Sequence, residues 1–385
     1  MTNAFYAYPW NFHDLDRDVA RVKALGVSEI TLAVSYHAGK FIHPGDPAAR
    51  VYFPEDGTVY FRPRGAYGEG LRPQVSALTG RRDILAELSA RDDIGVNAWV
   101  VLNHNTRLGT LRPDLCVQNA FGDRYPYSLC PAQPDVRDYA VHLCADLADN
   151  YPVRRLLLET PGYLTYSHGF HHEFAQVPPN PRLEALLGLC FCPACRKGAR
   201  AVGIDTDGLA KGVVAAIDDD MARIGEGADE SGLIALEPEL DAFHQWRCQT
   251  VTALVAEIRR AVWPAVAVKV IATCQRPHAT AYLEGHDLAA LDSVSDGLEL
   301  PLYQPSPERI IAEARTVLAQ VPAARTSVVL RPGYPDMTSA DDLGAAMAGL
   351  DELGLHDIAF YNLGMLPPVH LDWVRGVLTP KVNHV

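Results

Sequence analysis

The sequence predicts an α/β fold, a single (β/α)8 TIM barrel spanning residues 1–385, with long excursions after its second, third and fourth strands. Eight short apolar runs recur along the chain, helix-patterned segments separate several of them, and the extra length gathers where strands end. Near-continuous apolar strands alternating with helices read as a parallel sheet covered on both faces. Eight such units close into a barrel.

The runs are AFYAY (4–8), EITLAVSYH (29–37), VNAWVVLN (96–103), RRLLLE (154–159), VAVKVIATC (266–274), DGLELPLY (296–303), TSVVLRP (326–332) and DIAFYNLG (357–364). Each is short enough for a buried strand and bounded by turn formers or charges. Helices are predicted from Asp14 to Gly26, from Asp135, from Ser306, and from Ser339 to Gly354. Each opens on an N-cap residue, and two close on glycine. The excursions cover about 38–80, 104–134 and 160–236, all on the face where barrels keep their chemistry. In the first, RVYFPEDGTVYFRP sets two alternating runs about a Pro-Glu-Asp-Gly turn and predicts a β-hairpin. In the third, DDDMARIGEGADESG reads as a solvated acidic face and turn.

With 34 basic against 47 acidic residues and a net charge of −13, the chain lacks the basic patches that phosphate binding needs. Nucleic acid and anionic membrane are therefore excluded as expected partners, and a neutral or cationic small molecule is favoured. The N-terminus has no signal-peptide pattern and no run of about 18 apolar residues occurs, so the expectation is a soluble cytoplasmic protein. A homo-oligomer is compatible with this reading, and no organic cofactor is predicted. Eight cysteines are too few for a disulfide framework at this length.

Three of those cysteines fall within LGLCFCPACRKG, as Cys190, Cys192 and Cys195. A zinc site needs four soft ligands. The fourth comes from elsewhere, Cys130 in YSLCPAQPDVRDY or its rival Cys116. Metal-free thiols are the plainer alternative; redox chemistry at Cys192 and Cys195 lacks a thioredoxin-like βαβ context. In the segments Gly122–Tyr139 and Cys190–Arg196, and in the order of strands, the sequence resembles the β-galactosidases of glycoside hydrolase family 42. That resemblance implies a structural Zn2+ held by Cys130, Cys190, Cys192 and Cys195, closed to substrate and fastening two loops of the catalytic face.

Strand ends carry the remaining candidates. Glu159 ends the fourth strand after three leucines, where a lone carboxylate must be paired, protonated or turned into a polar pocket. The resemblance places it where those glycosidases keep their acid/base glutamate, although Leu158 replaces the asparagine of their Asn-Glu pair. A structural alternative has Arg331 neutralising it. At the end of the seventh strand, where the family keeps a nucleophilic glutamate, this sequence has Arg331. Glu299 in the sixth strand and Asp336 on the loop after the seventh are the candidate second carboxylates.

A polyol-binding rim is expected from Tyr8 and Trp10 after strand one and His37 after strand two. Asn103, His104 and Asn105 after strand three, Tyr303 after strand six and Asn362 in strand eight extend it. Arg331 would join them. In YSHGFHHEF, His168, His171 and His172 could contact the sugar, and His168 or His172 could orient Glu159. With Glu173 they could alternatively bind a catalytic metal. The function expected is that of a glycoside-hydrolase-like enzyme acting on a carbohydrate or glycosylated small molecule. The alternatives are a sugar-binding barrel without hydrolysis and a metal-dependent isomerase or hydrolase.

Overall fold

The computed structural model describes residues 2–46, 49–68, 70–169, 176–178, 180–222, 238–274 and 277–379. Eight strands run Thr2–Ala7 (β1), Glu29–Tyr36 (β2), Gly95–Val101 (β3), Arg155–Glu159 (β4), Ala267–Ile271 (β5), Leu298–Pro301 (β6), Thr326–Leu330 (β7) and Asp357–Phe360 (β8). Each pairs in parallel with the next. β8 returns to β1, with Thr2 opposite Asp357 and Phe5 opposite Phe360, so the sheet closes into a barrel surrounded by helices.

Closure explains why the runs are apolar on both faces. In β4, Leu157 packs inside the barrel with Tyr6, Trp99, Ile271, Val329 and Ala359, whereas Leu156 and Leu158 join the outer core beneath the helices. The expected helix starts at Asp14, Ser306 and Ser339 are side-chain caps, accepting the N–H groups of Arg17, Arg309 and Asp342. Gly26 and Gly354 close their helices at φ of +83° and +77°, the left-handed turn that glycine adopts at no steric cost. Asp135 is not a cap. That helix spans Pro134–Asn150, with proline at its first position, where a missing N–H costs nothing.

The hairpin expected about Pro54–Gly57 does not form. Val51–Tyr52 pairs instead with Phe41–Ile42, and Thr58–Val59 adds antiparallel to the end of β2. The second run gains more from the barrel than from its neighbour, because Val59, Tyr60 and Phe61 are all buried there while Val51 and Phe53 stay exposed. Residues 160–236 carry helices Pro181–Leu187, Pro193–Ala201 and Thr206–Ala222 before the long outer helix Pro238–Ala261. The acidic stretch lies outside the described residues from position 223 on. No helix among the described residues is long and apolar enough to cross a membrane.

The strand starts hold an ionic layer. Buried Glu29 accepts from Arg154 at 2.7 Å, Arg155 at 3.2 Å and Asn97 at 2.9 Å, while Asp357 meets Arg155 at 2.5 Å and Lys269 at 3.3 Å. Removing one member strands its partners in a low-dielectric interior. Glu29→Ala is expected to lower unfolding stability by about 3 kcal/mol in urea titrations; a change within error of zero would show that this layer does not support the barrel.

Candidate active site

At the opposite end, the strand tips enclose a cavity of about 270 Å3. Tyr6, Trp99, Ile271, Pro301 and Val329 come from within the strands; Tyr36, His37, His104, Glu159, His168, Thr273, Cys274, Tyr303, Arg331 and Tyr361 stand at their ends. A larger groove of about 970 Å3 runs along helix Pro238–Ala261 and residues 278–294, on the outer surface and away from the strand ends.

Glu159 is the one carboxylate that lines the cavity among the described residues. Its Oε2 accepts the indole N–H of Trp99 at 2.5 Å. Burial lifts its carboxyl to about 7, with the hydrogen bond from Trp99 opposing and the charge of Glu284 reinforcing the rise. The next residue, Thr160, is buried at φ +52°, a left-handed backbone that a β-branched side chain rarely adopts. Such strain is found where the surroundings over-determine a geometry. Here Leu102 and Asn103 donate their N–H groups to the Glu159 and Thr160 carbonyls at 3.0 and 3.1 Å, continuing the β3–β4 ladder past the strand ends.

The two other candidate carboxylates sit one residue behind the wall. Glu299 is buried, accepts the phenol of Tyr6, and takes the Ser327 hydroxyl at 2.8 Å. Burial raises its pKa. Asp336 grips Arg331 with two bonds of 2.6 and 3.0 Å, and that guanidinium also lies 4.7 Å from the Tyr303 ring centre. Arg331 is therefore engaged with Asp336 rather than neutralising Glu159.

Of the expected rim, His37, His104, His168, Tyr303 and Arg331 line the cavity. The His37 and His104 rings stack at 3.9 Å, and His168 meets His104 edge-on at 5.2 Å. Five others do not line it. Tyr8 and Trp10 are buried, stacked on each other at 4.5 Å, and Tyr8 bonds the hydroxyls of Tyr36 and Tyr361 at 3.1 and 2.9 Å. Asn103 donates to the carbonyls of Pro161 and Gly162, Asn105 caps helix Thr106–Leu111, and Asn362 accepts from Gly364 N–H within its own loop. Their polar groups serve the backbone of sharp strand exits. His171, His172 and Glu173 lie outside the described residues.

Sequence reasoning missed Tyr6, Tyr36, Trp99, Thr273, Cys274 and Tyr361 as cavity walls. Inward alternation within the strands marks Tyr6 and Trp99, but no local pattern tells a barrel-filling aromatic from one that faces a ligand.

Cys130, Cys190, Cys192 and Cys195 converge, all buried, with their sulfurs within 4.8 Å of one another. Cys130 Sγ lies 3.4 Å from Cys195, 3.6 Å from Cys192 and 3.8 Å from Cys190. A tetrahedral metal with bonds of about 2.3 Å sets sulfurs about 3.8 Å apart, so the knot has the size of such a site. Hydrogen-bond donors surround it, with Gln118 N–H reaching Cys190 at 3.5 Å and Gln133 Nε2 reaching Cys192 at 3.6 Å. Burial pushes the Cys130 and Cys195 thiols well up while hydrogen bonds from the neighbouring sulfurs pull Cys192 down, and a cation among them would favour the thiolate form that metal binding needs. The rival ligand Cys116 stands apart, donating to the Gly109 carbonyl.

A carboxyl that titrates at 4.5 when unfolded and at about 7 when folded binds more protons in the native state between those values. Its ionisation therefore costs stability as pH rises through that window. Glu159→Gln is expected to raise Tm by roughly 2 °C or more at pH 8 and to leave it near wild type below about pH 4.5. Calorimetry at the two pH values checks this, and equal Tm values at pH 8 would contradict the raised affinity.

No protein-family model matches the sequence, and no curated protein matches it. Solved structures do. The glycoside hydrolase domain of PgaB (BpsB) from Bordetella bronchiseptica superposes with a TM-score of 0.61 at 17% identity, over 99% of each chain. The catalytic domain of β-amylase from Paenibacillus polymyxa gives 0.56 at 12% identity, covering 98% of this chain and 97% of that one. β-Galactosidase from Bacillus circulans sp. alkalophilus gives 0.55 at 12%, covering 98% of this chain and 55% of the other. At such identities the shared property is the barrel itself.

Proposed function

We propose that the protein is a glycoside-hydrolase-like enzyme acting on a carbohydrate or glycosylated small molecule, with Glu159 giving its proton to the departing oxygen. The observation that carries this is a carboxyl held near neutrality at the mouth of a barrel, in an aromatic-walled cavity. An acid whose affinity lies near working pH is suited to general acid catalysis. At about 270 Å3 the cavity sits at the small end of ligand sites and suits one sugar ring rather than an extended chain. The solved barrels it superposes on, a glycoside hydrolase domain, a β-amylase and a β-galactosidase, are consistent with this chemistry.

Aromatic faces of Tyr303, Tyr361 and Trp99 offer planes for sugar C–H groups, and Arg331 and the histidines offer polar contacts to hydroxyls. Glu299 would act as the second group through Tyr6, whose phenol it accepts. A sugar-binding barrel without hydrolysis is the second reading, favoured by the absence of another carboxylate from the cavity wall among the described residues. The four sulfurs fit Zn2+, which would be structural, since all four positions are taken by protein and none is left for substrate.

Hydrolysis of a panel of aryl glycosides tests the reading. Glu159→Gln is expected to lower kcat by about 10²–10⁴ while ligand binding persists; an unchanged kcat would remove Glu159 from the chemistry, and binding without turnover in the wild type would favour the second reading. Native mass spectrometry is expected to find one zinc per chain, lost in Cys195→Ser together with several degrees of Tm. A metal-free wild type of full stability would dismiss the zinc.

A further inference from the structure

Glu284 ends the short helical turn His278–Glu284, which Gly285 closes at φ +79°. Its carboxylate turns inward and is 2% exposed. Both oxygens accept the Cys274 N–H at 3.1 Å, and one also accepts the Thr273 hydroxyl. Thr273 and Cys274 are the cavity wall beyond β5. Cys274 lines the same cavity as Glu159, each at or just past the end of its own strand in the paired strands β5 and β4, where Leu158 stands opposite Val270. Glu284 therefore lies one residue behind the cavity that Glu159 lines.

The far side of Glu284 is fixed as well. Tyr163 donates its N–H to the Glu284 carbonyl at 2.9 Å, and a Cβ at Gly162 would come within 2.1 Å of that oxygen, so only glycine lets the loop after β4 approach so closely. Arg247 beside it bonds the carbonyls of Gly188 and Leu283 and covers the Tyr163 ring.

We propose that Glu284 is a positioning residue for the proton donor: held against the Thr273–Cys274 wall, its buried charge opposes ionisation of Glu159 and keeps that acid in its proton-bearing form. The inference rests on Glu159 as the proton donor. The groups facing Glu159 support it. Burial does most to hold the proton on Glu159, the Trp99 N–H favours the carboxylate, and the charge of Glu284 adds to the effect of burial. The phenols of Tyr6, Tyr36 and Tyr361 and the Cys274 thiol are kept neutral by burial, and Arg331 is held by Asp336. His37, His104 and His168 line the same cavity. Between two like charges in a poorly solvated interior, the repulsion raises the proton affinity of whichever group ionises last.

Trp99 gives a probe that needs no substrate, because its indole N–H reports the charge on Glu159. In protein labelled with 15N-tryptophan, five indole signals are expected, and Trp99→Phe assigns the relevant one. The wild-type signal should shift with an inflection near pH 7, and Glu159→Gln should abolish it. Glu284→Gln is expected to move the inflection down by at least about half a unit. Glu284→Ala, equally neutral, serves if the first variant does not fold. Glu284→Asp keeps the charge and is expected to retain the high inflection, and Thr273→Val, which removes only the hydroxyl tie, should leave it in place. A purely structural Glu284 would instead make the aspartate variant behave like the neutral ones. An unmoved inflection in a folded neutral variant overturns the proposal. The two readings fail separately: a shift without hydrolysis of any glycoside sinks the glycosidase alone, and Glu159-dependent hydrolysis without a shift sinks Glu284 alone.

Discussion

A charge inside a barrel must be compensated, and the rest of this structure follows from where compensation is supplied and where it is thin. Glu29 has two arginines and an asparagine, Asp357 has Arg155 and Lys269, and Asp336 has both arms of Arg331. Glu299 takes a phenol and a hydroxyl, and Glu284 counts a backbone N–H and a hydroxyl among its partners. Glu159 has an indole N–H and the neighbouring charge of another carboxylate. Of these acids it is the one that lines the cavity. The barrel thus divides into a strand-start end where ion pairs hold the sheet and a strand-end face where one acid lines a cavity.

The loop after β4 connects that acid to the four sulfurs. Tyr163 places its hydroxyl 3.7 Å from Cys195 Sγ and its N–H on the main-chain carbonyl of Glu284, so a single residue touches both the sulfur knot and the residue whose carboxylate lies behind the cavity wall. Cys130 follows the strand Arg124–Leu129, and Cys190, Cys192 and Cys195 lie in the next excursion. A metal at the knot would close a long loop on each side and fix the exit of β4 without touching substrate. Loops that build a site on a rigid barrel need such a fastening, since they bury little apolar surface of their own.

The barrel was legible because its strands are covered on both faces, which writes continuous apolar runs into the sequence, and because Asp14, Ser306 and Ser339 cap their helices through local contacts. Glu159 was legible for the same reason, as a carboxylate at the end of such a run. Cys190, Cys192 and Cys195 stood out by spacing, whereas Cys130 was singled out by the family resemblance, with Cys116 as its rival. What stayed hidden depends on partners distant in sequence. Tyr8 and Trp10 looked like a sugar platform, yet their rings pack against Tyr36, Phe41 and Tyr52, a set that only closure of the barrel assembles. The run about Val59 alternates as a hairpin strand would, but β2 offered it a better edge. Glu284 ends an unremarkable helical turn, and nothing near it in the chain announces that it lies behind the wall of Glu159.

The account comes down to whether Glu159 meets the bond to be broken. A crystal structure of Glu159→Gln soaked with an intact glycoside tests this most directly. The account predicts one sugar ring inside the cavity, with its glycosidic oxygen about 2.6–3.2 Å from the side chain at position 159. A sugar seated elsewhere, or seated with that oxygen turned away from position 159, would contradict it.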